Sequence, residues 1–179
     1  MKKLLTLIFF LMSSLIADLD KSQVLCHIVL DKDNGHYVEG GAWDSSVLEG
    51  KITMMMYVDP DEKYKGKVIK PIIEGFENDL DFSDFQILVI LNLKATWKPN
   101  ALIESLLKSK MQAYPKRIYV IDKESILVKK WGLLDDEYNL VLINDKVKPV
   151  YQHHGQWEDS QIRELDTQTR LLIQKFYEQ

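Results

Sequence analysis

The residues best suited to chemistry are three carboxylates, Asp59, Asp61 and Glu62, which surround Pro60 directly after an apolar segment. Clustered carboxylates can bind a cation or transfer protons. The same residues also fit the start of a helix, because Asp59 can cap it, Pro60 suits its first position and Glu62 has capping-box spacing. We therefore expect residues 59–62, called the acidic corner below, to form a helix cap and not a catalytic or metal site.

A second group of carboxylates, Asp135, Asp136 and Glu137, precedes another apolar segment. Such a run can bind a cation only if the loop folds so that consecutive side chains converge on one ion. A solvated acidic loop is the simpler interpretation. The sequence contains no Ser-His-Asp elbow, phosphate-binding loop or dinucleotide fingerprint. We therefore predict no catalytic residues.

Cysteine and histidine side chains offer thiol chemistry or metal ligands at two places, Cys26-His27 and His153-His154. The single cysteine cannot form an intramolecular disulfide, so it is buried and inert, paired with another chain, or reactive. We expect it to be buried, because free cysteines usually are. Adjacent histidines on an extended segment point to opposite faces, which disfavours a shared metal ion. We predict neither a metal site nor a cofactor.

Composition and charge exclude some classes of function. The chain has 179 residues, a formal net charge of −4 and a hydrophobic share of 46%, as expected for one soluble globular domain. No dense cluster of Lys and Arg is present, so nucleic-acid binding is not expected. The tryptophans lie near the ends of predicted elements, and Trp97, if exposed, would offer a binding platform.

The amino terminus has the order of a secretory signal peptide. Lys2 and Lys3 precede the apolar run Leu4–Met12, and Ser13-Ser14-Leu15-Ile16-Ala17 follows, with Leu15 at a position that usually holds a small residue. The run is too short to span a bilayer, since a spanning helix needs about 20 residues. We therefore predict a signal peptide over residues 1–17, export to the periplasm and no integral membrane segment in the mature chain. An uncleaved amino-terminal anchor is the alternative.

The remaining chain is predicted to alternate strands and helices. Residues 23–30 and 36–39 are predicted to form an amino-terminal β-hairpin. From Lys51 the order is β-α-β-α-β-α-β-β-α, which predicts a mixed, mostly parallel central sheet, ended by an antiparallel hairpin and a helix. The predicted core strands are 51–58, 85–93, 117–121, 138–143 and 147–152, and the predicted helices are 67–79, 99–113, 125–131 and 158–177.

Two further features of this core are expected. Residues 18–179 should form a single domain, in which 18–49 are an amino-terminal β extension and 50–179 are the core. The helix after Pro99 should bury one apolar face. That face is formed by Leu102, Ile103, Leu106, Leu107 and Met111.

Several short motifs resemble, in their order, the TlpA-like and peroxiredoxin-like branch of the thioredoxin-like superfamily. Leu48–Ile52 resembles the Leu-x-Gly-Lys-Val that leads into the first core strand, and Tyr119–Asp122, Trp131–Leu133 and Val141–Asn144 resemble later blocks. Within that superfamily the chain is most similar to the small exported YtfJ family, through the Trp-x-x-Ser-x-Leu-x-Gly-Lys motif at Trp43–Lys51. The resemblance implies a thioredoxin-like three-layer α/β/α sandwich.

The same resemblance implies where redox cysteines would lie, and they are absent. In thioredoxin-like enzymes they follow the first core strand, which places the acidic corner at that position. The run Ala95–Asn100 also resembles an active-site segment, Ala-Thr-Trp-Cys-x-Pro-Cys, and gives a second possible register. We prefer the first register, because Gly50-Lys51 precedes it correctly, but neither contains a cysteine. The proline that faces the disulfide in such enzymes is also replaced, since Glu137 and Tyr138 occupy that position.

These observations give one main hypothesis and two alternatives for function. The main hypothesis is an exported thioredoxin-fold protein without thiol–disulfide activity, retained as a binding, adaptor or stress-associated module for an unknown protein partner. The alternatives are a thiol enzyme or metal carrier that uses Cys26 with the histidines, and a regulatory protein in the cytoplasm. The candidate binding residues are Cys26, Trp97, Glu137 and Tyr138, and the vestigial active-site corner is Asp59, Pro60, Asp61 and Glu62.

Overall fold

The computed structural model describes residues 19–80 and 82–178. The predicted signal peptide lies outside these residues. No helix within them is both long and apolar enough to cross a membrane. Short 3₁₀ helices occur at residues 45–48, 63–67 and 93–95. The strands are β1 (Val29–Leu30), β2 (Gly35–Tyr37), β3 (Trp43–Asp44), β4 (Ile52–Val58), β5 (Phe85–Asn92), β6 (Ile118–Asp122), β7 (Tyr138–Ile143) and β8 (Pro149–His154), and the helices are α1 (Lys70–Asp79), α2 (Asn100–Ala113), α3 (Ile126–Trp131) and α4 (Asp159–Tyr177).

One mixed sheet contains six strands in the order β2-β6-β5-β4-β7-β8. β4, β5 and β6 are parallel to one another, as expected for strands joined through helices. β7 runs antiparallel to β4, and β8 runs antiparallel to β7. The predicted carboxyl-terminal hairpin is therefore confirmed. β2 adds a short antiparallel edge beside β6.

Helices cover both faces of this sheet, which explains why its central strands are apolar along their whole length. On β4, Met55 and Tyr57 face a cluster of buried residues that is covered by α3 and the amino-terminal segment. Met54 and Met56 face the opposite cluster, which is covered by α1 and α4. Every residue of β4 and β7 is buried. The predicted three-layer α/β/α arrangement is confirmed.

The pairing of the amino-terminal strands differs from the prediction. The sequence predicts a hairpin between residues 23–30 and 36–39, but β1 pairs with β3 in a separate two-stranded antiparallel sheet. β2 pairs instead with β6 of the main sheet. Gly35 permits this close approach, because a β-carbon at that residue would collide with the carbonyl oxygen of Ile121. The predicted two-stranded sheet at the amino terminus is present, but its second strand is β3 instead of residues 36–39.

Helix α2 buries a narrower face than the sequence predicts. Ile103 and Leu107 are buried against residues of β5 and β6, whereas Leu102 and Leu106 are 50% and 47% exposed. Ile103 and Leu107, together with the partly buried Met111, form the only stripe of described α2 side chains that packs on the strands. Leu106 stands instead at the edge of a groove between α1 and α2.

Candidate functional site

The carboxyl ends of the three parallel strands meet at one edge of the sheet, together with the segment before β7. β4 ends before Asp59, β5 ends at Asn92 and β6 ends at Asp122. The N–H of Asp59 donates to the carbonyl of Glu137 over 3.0 Å, and Asn92 Nδ2 donates to Asp135 Oδ1 over 2.6 Å. Since ligands of open α/β sheets bind outside the carboxyl ends of the strands, this edge is the first candidate site.

Strand topology bears on the choice between the two registers. β4, which leads into the acidic corner, lies between parallel β5 and antiparallel β7. β5, which leads into Ala95–Asn100, lies between two parallel strands. The resemblance requires the active-site corner to face the residues that precede the antiparallel strand, and the bond from Asp59 to Glu137 meets that requirement. The end of β5 also contacts the segment before β7, through Asn92 and Asp135, so the preference for the acidic corner stays a prediction.

Asp59 closes a tight turn and does not cap a helix, so the predicted cap is wrong. Its Oδ1 accepts a hydrogen bond from the N–H of Asp61 over 2.8 Å. Its carbonyl accepts from the N–H of Glu62 over 3.0 Å. The following 3₁₀ helix starts at Lys63 without a side-chain cap, and α1 begins only at Lys70. The corner turns the chain first, because an Asp side chain readily bonds to the backbone two residues on.

The Asp59 side chain is buried, with 4% of the residue surface exposed. Burial, and then the negative charges of Asp136 and Glu62, raise the pKa of this carboxyl to about 6, while Lys98 acts in the opposite direction. The physical cause is that a low-dielectric environment disfavours the charged form. The Asp59 carboxyl therefore changes from mostly protonated to mostly ionised as the pH rises through about 6.

Replacing Asp59 by asparagine is expected to stabilise the protein at about pH 7.5 by about 1–2 kcal/mol. The folded-state pKa of about 6 exceeds the unfolded value of about 3.9, so the folded protein binds this proton more tightly. The contribution of Asp59 to stability is therefore present below about pH 4 and is lost as the pH rises through about 6. Asparagine never carries the charge and keeps an oxygen that can accept from Asp61.

Urea unfolding of both proteins at about pH 4.5 and 7.5 measures this effect. Asp33→Asn is the matched control, because Asp33 is exposed in a turn and its replacement should change stability little at either pH. An Asp59→Asn protein that is no more stable than the wild type at the higher pH would contradict the prediction.

The rival run Ala95–Asn100 supplies two residues to the acidic corner. Thr96 Oγ1 donates to Asp61 Oδ2 over 2.8 Å, and Lys98 forms an ion pair with the same carboxylate. Trp97, between them, is 84% exposed, and its ring centroid lies 5.6 Å from Lys98 Nζ. Both segments that resemble an active site therefore meet at Asp61.

Lys65 joins the other side of the corner to the segment before β7. Its Nζ lies 2.8 Å from Glu62 Oε2 and 2.5 Å from Glu137 Oε1. Tyr138 is buried, and its ring packs so closely on Gly66 that a β-carbon there would lie 2.5 Å from the ring. Of these two predicted binding residues, Glu137 is held in the ion pair with Lys65. Tyr138 lines the groove between α1 and α2.

Cys26 is exposed, so the prediction of a buried thiol is wrong. Its carbonyl accepts a hydrogen bond from Trp131 Nε1 over 2.8 Å, and its Sγ lies 3.6 Å from the carbonyl of Lys130. The neighbouring Leu25 packs against the core instead. His27, the next residue, is exposed as well, so this part of the segment contributes Leu25 to the core and leaves the thiol in solvent.

The structure does not bring the two pairs of Cys and His residues together. His27 Nε2 lies 2.7 Å from Asp44 Oδ1. The ring of His153 packs on Trp157 at 3.9 Å between centroids, its Nε2 lies 2.9 Å from the carbonyl of Gln156, and burial lowers its pKa. In the part of the chain that the structure describes, no group of three or more His, Cys, Asp or Glu side chains is arranged to hold a metal ion.

Sequence reasoning missed a buried polar network beneath the acidic corner. Asp122 is fully buried and accepts a hydrogen bond from the Tyr57 hydroxyl over 3.1 Å. Asn92, also buried, accepts from Ser125 Oγ over 2.9 Å. A signal was present, because Asn92 is a polar residue one position before the end of the predicted strand 85–93, and Asp122 directly follows the predicted strand 117–121. Polar residues at the carboxyl ends of adjacent parallel strands share one edge of the sheet.

A second candidate site is an apolar groove of about 330 Å³ between α1, α2 and the sheet, called the α1–α2 groove below. Its floor includes Met56 and Val58 of β4 and Val89 and Leu91 of β5, and it opens beside Pro60 of the acidic corner. Its volume lies at the lower end of the usual range for small-molecule sites, about 300–1,000 Å³. The sequence does not reveal it, because the groove depends on the part of the sheet that α2 leaves uncovered.

Several solved structures resemble this one. A candidate thiol:disulfide interchange protein DsbE from Chlorobium tepidum has a TM-score of 0.59, with 15% identity over 87% of this chain and 99% of its own. The thioredoxin domain of a thiol-disulfide oxidoreductase from Bacteroides vulgatus has a TM-score of 0.59, with 12% identity over 84% and 98%. The exposed lipoprotein thioredoxin Etrx1 from Streptococcus pneumoniae has a TM-score of 0.58, with 15% identity over 79% and 98%. The likeness confirms the predicted thioredoxin-like fold.

Comparison of the sequence itself gives the family. No curated protein matches it at a significant level. Residues 19–171, which contain all the described strands and most of α4, match the family described as a bacterial protein of unknown function (YtfJ_HI0045). The resemblance to the YtfJ family predicted above is thereby confirmed, and the chain belongs to the YtfJ_HI0045 family of bacterial proteins.

Proposed function

We propose that this protein is an exported thioredoxin-fold binding module that does not carry out thiol–disulfide exchange. The proposal is carried by the turn after β4, where the resemblance places redox cysteines. Exchange needs a thiolate there. The turn holds Asp59–Glu62, whose carboxylates pair with Lys65 and Lys98. The single cysteine of the chain, Cys26, contacts the end of α3 instead.

Export and domain organisation are part of the proposal. We place a signal peptide at residues 1–17 and a periplasmic domain at 18–179, with an amino-terminal extension over 18–49 and a core over 50–179. The order of basic, apolar and small residues at the amino terminus supports export. Etrx1, which is similar in fold, is described as an exposed lipoprotein, and that description agrees with a location outside the cytoplasm.

The partner that we propose is a protein of the same compartment and not a nucleic acid. Trp97 is 84% exposed, and Leu102, in the first turn of α2, is 50% exposed. Exposed aromatic side chains commonly anchor protein contacts. The formal net charge of −4 opposes binding to a phosphate backbone. We therefore place the contact surface at Trp97 and the first turn of α2.

Exposure of Cys26 favours a second candidate, in which the thiol itself takes part in function. The cysteine is open to solvent, and its nearest polar contact is a weak one with the carbonyl of Lys130. Such a thiol is available for a mixed disulfide with another chain or for a thiol-dependent reaction. This candidate requires Cys26, whereas the first does not.

Assays of insulin reduction and peroxidase activity should both be negative for the purified protein, and it should contain no stoichiometric metal. The physical reason is that the acidic corner offers no thiolate to attack a disulfide or peroxide. A thioredoxin serves as the positive control and Cys26→Ser as the matched variant. Turnover or bound metal that disappears in Cys26→Ser would overturn the first candidate and select the second.

Affinity capture from the extracytoplasmic fraction separates a contact through Trp97 from one through the thiol. We expect Trp97→Ala to lose the captured partner, while Cys26→Ser and the surface control Leu171→Ala retain it. Amino-terminal sequencing of the protein in that fraction tests export. An intact Met1 in cytosolic protein would refute it and favour a regulatory role in the cytoplasm.

A further inference from the structure

We propose that the α1–α2 groove binds a medium-chain anionic amphiphile, with the acyl chain in the groove and a carboxylate head group at its mouth. This inference goes beyond the protein partner proposed above and uses a different surface. The groove floor is apolar and consists of strand residues such as Met56, Val58, Val89 and Leu91. Its volume of about 330 Å³ is small for a ligand site, which limits the acyl chain to medium length.

The charged residues that line the groove all carry the same sign. They are the five cations Lys63, Lys67, Lys70, Lys110 and Arg117, and no Asp or Glu lines the groove. The formal net charge of the chain is −4, so this concentration of positive charge is local. A cluster of cations around a low-dielectric cleft attracts an anion.

Two of these cations are already paired within the protein. Arg117 donates to both carboxylate oxygens of Glu77, at 2.6 and 2.8 Å, and Lys70 Nζ lies 3.3 Å from Glu74 Oε1. The remaining three have no carboxylate partner among the described residues. These are Lys63 and Lys67, on the 3₁₀ helix before α1, and Lys110 on α2. An anionic head group would supply the missing charge.

The lining favours an acyl chain over a peptide. A peptide brings N–H and C=O groups that are costly to bury without partners. The groove lining contains no Asp or Glu that could accept from such N–H groups, and the hydroxyl of Tyr119, one of its polar groups, already donates to the carbonyl of Lys110 over 3.4 Å. An acyl chain buries no polar group and gains free energy with each methylene removed from water. It would also cover Leu106, which is 47% exposed at the edge of the groove.

Isothermal titration of the purified protein with decanoate, below its micelle-forming concentration, tests the proposal. We expect saturable binding at one site. Decyltrimethylammonium, which has the same chain and a cationic head, should bind at least about tenfold more weakly, and acetate should not bind. Equal binding of the two decyl compounds, or no saturable binding of decanoate, would overturn the proposal.

Charge and chain variants locate the site. The double variant Lys63→Glu/Lys67→Glu should weaken decanoate binding about tenfold or more, whereas Lys146→Glu, in the exposed β7–β8 turn, should not. Leu106→Glu should also weaken binding, while Leu171→Glu, at a 43% exposed position on α4, should not. Circular dichroism verifies that each variant is folded. Wild-type affinity in all folded variants would place the ligand elsewhere and refute the groove assignment.

Sedimentation velocity distinguishes another occupant, a second copy of this chain. Concentration-dependent dimerisation that Leu106→Glu abolishes, without decanoate binding, would assign the groove to that contact and overturn the proposal. Failure of the amphiphile proposal would leave the non-redox proposal standing, because insulin reduction and peroxidase activity are measured independently of the groove.

Discussion

Replacing Asp122 by alanine should lower the free energy of unfolding by about 3–5 kcal/mol. Asp122 is fully buried. Its carboxylate accepts from the Tyr57 hydroxyl at 3.1 Å and from the N–H groups of Glu124, Ile126 and Leu127 at 3.1, 2.9 and 3.0 Å. Alanine removes the acceptor for a buried hydroxyl and for the first N–H groups of α3 at once. Each buried donor left without a partner costs about 1–3 kcal/mol.

Tyr57→Phe is the matched comparison for this substitution. It removes only the hydroxyl that donates to Asp122 over 3.1 Å and leaves the helix bonds in place, so a loss of about 1 kcal/mol is expected. Burial, and then the charge of Asp122, raise the pKa of Tyr57 well above its ordinary value, so this hydroxyl keeps its proton. Urea unfolding at neutral pH measures both variants, and an Asp122→Ala protein no less stable than Tyr57→Phe would contradict the account.

Replacing Glu77 by alanine should lower the free energy of unfolding by about 3 kcal/mol. Arg117 donates to Glu77 through Nε at 2.6 Å and Nη2 at 2.8 Å, and both side chains are only 11% exposed. Removing Glu77 leaves the guanidinium without its counter-charge, although its stacking on Tyr114, at 4.0 Å from the ring centroid, remains. The pair connects α1 to the start of β6, so its loss also loosens one end of the α1–α2 groove.

Glu74→Ala, one turn earlier on α1, is the control. Glu74 pairs with Lys70 at 3.3 Å, but these side chains are 38% and 53% exposed, and such pairs contribute about 0.5 kcal/mol or less. Urea unfolding in low and high salt separates the two cases. The small loss at Glu74 should fall further with added salt, whereas the larger loss at Glu77 should persist, because buried pairs are screened little. Similar losses for both variants would contradict the prediction.

The core elements could be predicted from sequence because they are buried on both faces and end at turn-forming residues. β4 was predicted over 51–58 and spans 52–58, and β7 was predicted with the bounds that it has. Continuous apolar runs identify such strands without knowledge of their neighbours. The partner of β1 could not be predicted in this way, because strands of two or three residues are paired by tertiary contacts and carry almost no pattern of their own.

The site was less predictable than the fold, because its contacts join segments that are distant in sequence. The sequence identified Asp59–Glu62 and Ala95–Asn100 as rival positions, and the structure joins them through Asp61, Thr96 and Lys98. Burial was predicted for Cys26 from its residue type and for Leu106 from its spacing on the helix after Pro99. Both are exposed, since neighbouring side chains reached the core in their place. Which of two neighbouring side chains becomes buried depends on the shape of the surface that they pack against, and that shape cannot be derived from local sequence.

The attachment of the amino-terminal segment has a consequence for the order in which the chain folds. β2 pairs with β6, the carbonyl of Cys26 accepts from Trp131 Nε1 over 2.8 Å, and the N–H of Leu25 donates to the carbonyl of Val147 over 3.0 Å. These contacts join residues that are 83 to 122 positions apart in sequence, and closing such long loops is slow. The amino-terminal segment cannot complete these contacts until residues as far along the chain as Val147 are in the same compartment. The first described residues in the sequence are thus among the last to be fixed in place.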